Sequence, residues 1–356
     1  MPEHAGRKAD HLDLCATDDV AFQEKTTLLE QVGLVHDALP ELAVGEVDLH
    51  TEIVGKMLRA PLLIAAMTGG VAQAERVNRD LAIVAEELGI GFGFGSMRPL
   101  LEDGTREGYF VRDVAPSALI LANLGVVQAR AATSARIGDL IGETGCDAIC
   151  IHLNPAMELI QPEGDDDFRG GLDTLARLVS DLDVPVIAKE TGCGISRKTA
   201  ENLVATGVKW VDVSGAGGTS WVGVETLRAR ARTRQLGELF WDWGIPTAAS
   251  VAQISDLPLN IIATGGVRGG LDIARAIALG ATGGGIARTF LQAWNRGGRD
   301  AARDAAREVI DELEVAHLLS GARTPADLAR KPLYIGDALR HWIPGNSPLR
   351  ARFTDA

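Results

Sequence analysis

Within fourteen positions the chain sets down His152, Asn154, Glu158, Gln161, Glu163 and Asp165, starting from the end of the short apolar run Asp147-Ala-Ile-Cys-Ile-His152. An imidazole, two amides and three carboxylates at that density can bind an anion, hold a cation or move a proton. Glu158 lies four residues past Asn154 and six past His152. A single carboxylate beside substrate phosphates is a common way to hold Mg2+. Asp166 and Asp167 read instead as solvated loop charge. A second pair, Lys189-Glu190, closes the apolar run Val184-Pro-Val-Ile-Ala-Lys189. A lysine at the end of a buried strand needs a charged or polarised partner. A ligand contact and a structural ion pair across the rim account for it equally well.

A buried strand that breaks into polar chemistry is how a barrel presents a site at its carboxyl rim. The chain repeats that pattern. Apolar runs of strand length lie at 61–67, 90–95, 118–123, 147–152, 184–189, 208–213, 260–263 and 282–287. Most are separated by helical spacing, as in Val77, Leu81, Val84 and Leu88, or Ile137, Leu140 and Ile141. Parallel strands need crossovers and are buried on both faces, so this alternation predicts an α/β fold, a (β/α)8 barrel. A doubly wound sheet would open on a Gly-x-Gly-x-x-Gly turn, which the first crossover lacks. Residues 47–54 alternate like a strand and are expected to lie over one barrel end. Residues 299–320 carry Ala305, Val309, Leu313 and Ala316 on one helical face, as a covering helix. The expected organisation is a single barrel domain, with an N-terminal arm to about residue 60 and a helical tail from about residue 299.

If the barrel forms, the residue after each strand faces one shared cavity. That collects Met67, Thr68, Ser96, Asn123, His152, Asn154, Lys189, Ser214, Thr219, Gly266 and Arg288. Two glycine-rich turns fall late, Gly265-Gly266-Val-Arg268 and Gly283-Gly-Gly-Ile-Ala-Arg288, and a third, Ser214-Gly-Ala-Gly-Gly-Thr-Ser-Trp221, precedes them. The loops after strands seven and eight are the usual phosphate cradle of this fold, and Arg268 or Arg288 would add charge. With Lys189, these turns favour a phosphorylated cofactor. FMN fits, with phosphate in the late loops and the ring over the early strands.

Composition narrows the alternatives. The 356 residues carry a net charge of −13, which argues against a nucleic-acid partner. Cys15, Cys146, Cys150 and Cys193 lack metal-knuckle spacing and read as free thiols in a reducing cytoplasm. No apolar stretch is long enough to span a bilayer.

Taken together, the motifs resemble the type 2, flavin-dependent isopentenyl-diphosphate isomerase family. The matching pieces are Arg7-Lys8-x-x-His11, Ala66-Met-Thr-Gly-Gly70, Gly95-Ser96, Asn123-Leu-Gly125, His152-Leu-Asn154 with Glu158 and Pro162-Glu-Gly-Asp165, and Lys189-Glu190. Ser214 to Trp221, Gly244-Ile-Pro-Thr-Ala-Ala-Ser250, Gly265-Gly266 and Gly321-Ala-Arg-Thr324 continue the series in order. The resemblance implies a barrel using FMN, Mg2+ and a reductant such as NADPH, acting on a prenyl diphosphate in a cytoplasmic homo-oligomer, a tetramer or octamer. It implies that Ala66, Met67, Thr68, Ser96, Asn123, Lys189, Thr219, Gly265, Gly266, Ala287 and Arg288 hold FMN. It further implies that Arg7, Lys8, Arg98, His152 and Asn154 hold substrate, that Glu158 holds the metal, and that His152, Asn154 and position 157 stand at the catalytic end. Arg7 and Lys8 then form a diphosphate clamp.

Two positions depart from the family pattern. Met97 and Met157 stand where glutamines are usual, and methionine neither donates a useful hydrogen bond nor relays a proton. Both are expected to make the cavity more apolar. A related flavin barrel with changed substrate or net redox chemistry is the alternative, as is one that has lost activity. A hydroxy-acid oxidase would need a histidine near the loop at Ser214, and this loop has none.

Overall fold

The computed structural model describes Leu14 and residues 20–70, 72–162 and 164–354. Arg7, Lys8, His11, Cys15 and Glu163 lie outside the described residues.

Eight strands close a barrel: β1 (Leu62–Ile64), β2 (Gly91–Gly93), β3 (Leu119–Gly125), β4 (Ala148–Leu153), β5 (Val186–Glu190), β6 (Trp210–Asp212), β7 (Asn260–Ala263) and β8 (Gly283–Ile286). Each pairs in parallel with the next, and β8 pairs with β1. All eight coincide with the apolar runs of the sequence. Side chains alternate across a strand, and the two parities go to different places. Leu62, Ile64, Ile120, Ile149, Ile151, Ala188, Val211 and Ile261 pack outward into the main core with the helices. Leu63, Leu119, Leu121, Ala148, Cys150, Ile187 and Ile262 form a second cluster inside the barrel.

That inner cluster also contains Ile53, Val54 and Leu58. They belong to a hairpin in which Thr51–Ile53 pairs antiparallel with Lys56–Leu58. The alternation seen over residues 47–54 therefore becomes an apolar plug at the N-terminal end of the barrel. Glycine on the inward parity makes the packing fit: a Cβ on Gly91 would sit 2.2 Å from Leu63 Cδ2.

The covering helix is longer than the sequence pattern predicts. It runs Arg288–Leu319, with non-helical backbone at Gly297 and Gly298. Its second half buries Val309, Leu313 and Ala316 as expected. Its first half starts at the barrel rim directly after β8. One pairing escaped the sequence: Val32–Leu34 joins Leu333–Ile335 antiparallel. At three residues each, these strands show no readable period. Among the described residues no helix is long and apolar enough to cross a membrane.

Candidate active site

Followed toward the carboxyl ends, the inward parity turns from apolar to polar. Leu119 and Leu121 lead to Asn123, Ala148 and Cys150 to His152, Ile187 to Lys189, Trp210 to Asp212, and Ile262 to Thr264. Asn123, His152, Lys189 and Thr264 form part of the floor and wall of a cavity of about 750 Å3 at the carboxyl rim, a size suited to a cofactor and a small substrate.

Every described residue expected to hold flavin, substrate or metal lines this cavity. On the early strands these are Ala66, Met67, Thr68, Ser96, Arg98 and Asn123. From β4 and its loop come His152, Asn154, Met157 and Glu158. Lys189, Ser214 and Thr219 follow, then Gly265, Gly266, Arg268, Ala287 and Arg288. Gln128, Gln161, Thr191, Trp221 and Gln292 also line it and were not singled out as site residues from the sequence. Gln161 alone had a signal, its place in the dense polar run.

Lys189 and Glu190 do not pair with each other. Adjacent residues of a strand face opposite ways, so Lys189 points into the barrel and Glu190 away from it. The Lys189 ammonium donates to Asp212 Oδ2 at 2.7 Å and to Thr264 Oγ1 at 3.3 Å. Thr264 Oγ1 in turn donates to Asp212 Oδ1 at 2.5 Å. Lys189 and Asp212 are 8% and 5% exposed, so this ion pair is shielded from salt and water. Asp212 had a signal in the sequence, a carboxylate inside the apolar run ending β6. Only the barrel register, which sets Lys189 opposite Asp212, makes it a partner.

The Glu190 carboxylate instead accepts backbone N–H groups of Thr191, Gly192, Cys193 and Gly194 through Oε2. Burial pushes its carboxyl up to about 7, against the pull of the N–H donors of Cys193, Gly192 and Thr191. Glu190 shapes the turn that carries Thr191 and Gly192 to the cavity.

On the β3–β4 side, His152 Nδ1 donates to Asn123 Oδ1 at 2.7 Å. Asn154 Nδ2 donates to Glu158 Oε1 at 2.7 Å, and lies 3.8 Å from Met157 Sδ. Glu158 Oε2 accepts from Gln161 Nε2 at 3.2 Å and from the Asp165 backbone N–H at 2.9 Å. Arg98 is paired with Glu102 at 2.9 Å, four residues on.

Met97 corrects one expectation. Its side chain is fully buried in the main core and does not line the cavity. Ser96 takes the cavity-facing position, while the Met97 backbone N–H donates to Asn123 O at 2.8 Å. Of the two departures, Met157 alone makes the cavity more apolar.

The opposite wall is built from glycine. A Cβ on Gly265 would stand 2.1 Å from Gly215 O, and one on Gly218 would stand 2.4 Å from the Gly266 nitrogen. The loops after β6 and β7 therefore interlock backbone to backbone. Ser214 opens the first of them at φ 35, a left-handed conformation unfavourable for serine. Residues 20–22 lie against the same loop, where the Val20 carbonyl accepts Ser220 N–H at 2.8 Å and Phe22 N–H donates to Gly218 O at 3.0 Å, while Asp242, outside that loop, accepts the N–H groups of Gln23, Glu24 and Lys25. Ala21 reaches the cavity from this strap.

These features fit FMN. Closely approachable backbone at Gly265 and Gly266, together with the first turn of the helix from Arg288, offers N–H donors and charge to a phosphate. Thr68 Oγ1 lines the cavity, buried and without a hydrogen-bond partner among the described residues, which a polar ring edge would supply. No group of three or more His, Cys, Asp or Glu side chains able to hold a metal occurs among the described residues. Mg2+ held by Glu158 and substrate oxygens needs no such cluster.

The comparisons with known proteins point the same way. The FMN-dependent dehydrogenase family model matches residues 3–153 and 152–335. The isopentenyl-diphosphate delta-isomerase of Methanosarcina barkeri is 45% identical over 92% of this chain and 91% of its own length. That of a Synechococcus strain is 47% identical over 86% and 87%. Among solved structures, a flavocytochrome b2 with sulfite bound superposes with a TM-score of 0.66 at 18% identity, covering 98% of this chain and 85% of its own. A mandelate oxidase does so with a TM-score of 0.63 at 18% identity, covering 93% and 95%. At that identity the two structures speak to the fold alone. With identity above 40% to isomerases over nearly the whole chain, and a flavin-family match that spans the barrel, the chain belongs to the FMN-dependent, type 2 isopentenyl-diphosphate delta-isomerase family.

Proposed function

We propose that this protein interconverts isopentenyl and dimethylallyl diphosphate on bound FMN, with Mg2+ at Glu158 and NADPH as the reductant. One observation carries the reading. The residues that the family resemblance assigns to flavin, diphosphate and metal, where described, all line a single cavity.

Moving a double bond needs a proton added at one carbon and removed at another, against an alkene that is a poor base. FMN, when bound and reduced, supplies acid–base capacity beside the alkene and an electron-rich face against positive charge. The chain's own residues do the rest. Lys189 uses two of its three N–H donors on Asp212 and Thr264, leaving one for the flavin. Gly265, Gly266, Ala287 and Arg288 bind the flavin phosphate, with Arg268 at the mouth. Ala66, Met67, Thr68, Ser96 and Asn123 position the ring, and Ser214 and Thr219 border it. With its Nδ1–H committed to Asn123, His152 meets the substrate through Nε2, as acceptor when neutral and donor when protonated. Arg98, His152 and Asn154 bind the diphosphate, and Arg7 and Lys8 clamp it from the same or a neighbouring subunit. The inner polar layer rests on the apolar cluster, which closes the cavity from the N-terminal side of the barrel.

Met157 favours a second reading, in which the same flavin scaffold takes another prenyl diphosphate or runs net redox chemistry. It lines the cavity and carries no transferable proton. The test is incubation of the holoenzyme with isopentenyl diphosphate, Mg2+ and reduced FMN. Dimethylallyl diphosphate forms while the reductant stays catalytic. No dimethylallyl diphosphate overturns the isomerase reading, and reductant consumed in step with product supports the second.

A further inference from the structure

The Glu158 carboxylate is approached from three sides, and one of those contacts is itself held from another unit of the barrel. Oε1 accepts from Asn154 at 2.7 Å, and Oε2 from Gln161 at 3.2 Å and from the Asp165 backbone N–H at 2.9 Å. Asp165 is brought there by a close turn. A Cβ on Gly164 would stand 2.0 Å from Glu158 O and 3.0 Å from Glu158 Oε2, so only glycine lets this loop fold onto the carboxylate. The Asp165 side chain in turn accepts from Gln128 Nε2 at 2.9 Å. Gln128 belongs to the helix Val126–Ala131 that follows β3. It ties the β3 unit to the loop that carries Glu158.

The other end of the Gln128 amide is also placed. A Cβ on Gly125 would lie 2.1 Å from Gln128 Oε1 and 3.0 Å from His152 Nε2. The amide oxygen and the histidine nitrogen thus converge on the space left by one missing methyl group. One planar amide thus sets its oxygen over Gly125 and gives its N–H to Asp165. An amide can do both, whereas a carboxylate or a leucine cannot.

We propose that Gln128 and Asp165 are positioning residues that hold Glu158 at the cavity in the orientation needed for a divalent cation. Neither needs to touch the cation. Groups that orient a metal-binding carboxylate typically contribute ten- to hundredfold to metal affinity. The proposal rests on Glu158 as the metal-binding group of the functional reading above.

The test measures metal binding directly. Mn2+, in place of Mg2+, is titrated into flavin-loaded protein with isopentenyl diphosphate present, and bound ion is read by electron paramagnetic resonance. Gln128→Leu removes the amide donor to Asp165 at similar volume and is expected to weaken Mn2+ binding by about tenfold or more. Flavin content and its visible spectrum should stay unchanged. Gln128→Glu places an acceptor against Asp165 and should weaken binding at least as much. Adding Asp165→Asn to Gln128→Glu rebuilds a donor–acceptor pair with reversed polarity, and should restore binding to within about threefold, which general loop damage would not permit. Unchanged Mn2+ binding in Gln128→Leu overturns the proposal and leaves the functional reading standing. A swapped pair as weak as Gln128→Glu alone also overturns it. Wild-type protein that neither binds Mn2+ nor converts isopentenyl diphosphate overturns both.

Discussion

The two ends of the barrel use the same eight strands and the same inward parity, yet are built on opposite terms. At the N-terminal end the inward residues are Leu63, Leu119, Ala148, Ile187 and Ile262, closed by Ile53, Val54 and Leu58 of the hairpin. At the carboxyl end the inward residues Asn123, His152, Lys189 and Thr264 open on a cavity of about 750 Å3, with Asp212 paired to Lys189. The difference teaches where stability and function are separable. The closed end holds only side chains whose burial stabilises the fold. The open end carries a buried ion pair, a left-handed serine and a threonine hydroxyl without a partner among the described residues, features that add little stability of their own.

The largest expected effect strikes the open end. Lys189→Met leaves Asp212 buried without its cation and should cost about 3–5 kcal/mol in denaturant unfolding. The protein should also purify without its yellow colour. Adding Asp212→Asn removes the unpaired charge and should recover most of the stability while the flavin site stays empty. A colourless and stable double variant separates the two roles of the pair. A fully flavinated Lys189→Met would break the contrast between the ends.

The closed end should answer in the reverse sense. Ile53→Ala opens a cavity under the plug and should cost about 2–4 kcal/mol. Its turnover at low temperature, relative to wild type, should change less than twofold. Turnover that falls with stability would show that the plug shapes the site.

The smallest effect concerns Glu190, which faces outward at the open end. Its folded-state pKa, raised to about 7 from 4.5, means the folded protein holds its proton more tightly. The corresponding stability is fully present below about pH 4.5 and is lost as pH rises through 7. Glu190→Gln should flatten that part of the stability–pH curve and leave the unfolding midpoint above pH 8 equal or higher. An unchanged slope between pH 4.5 and 7 would assign the pH dependence elsewhere.

Much of the site was legible because a barrel converts chain order into geometry. Each apolar run marks a strand, and the residue after it must face the common rim. Ser96, Asn123, His152 and Lys189 could be placed by that rule. Met97 could not, because one step along the chain exchanges the cavity for the core. Val32–Leu34 and Leu333–Ile335 could not be matched either, since three residues carry too little period to reveal a partner at the far end of the chain.

What the sequence determined by itself was the set of elements and the kind of chemistry at their ends, because burial period and residue type are local properties. Which groups pair was decided only in three dimensions. Lys189 meets Asp212 rather than its neighbour Glu190, and Gln128 reaches Asp165 across 37 positions. The reason is physical: strand pleat fixes which way a side chain points, but register and closure fix what stands opposite, and neither is encoded in any short stretch of chain.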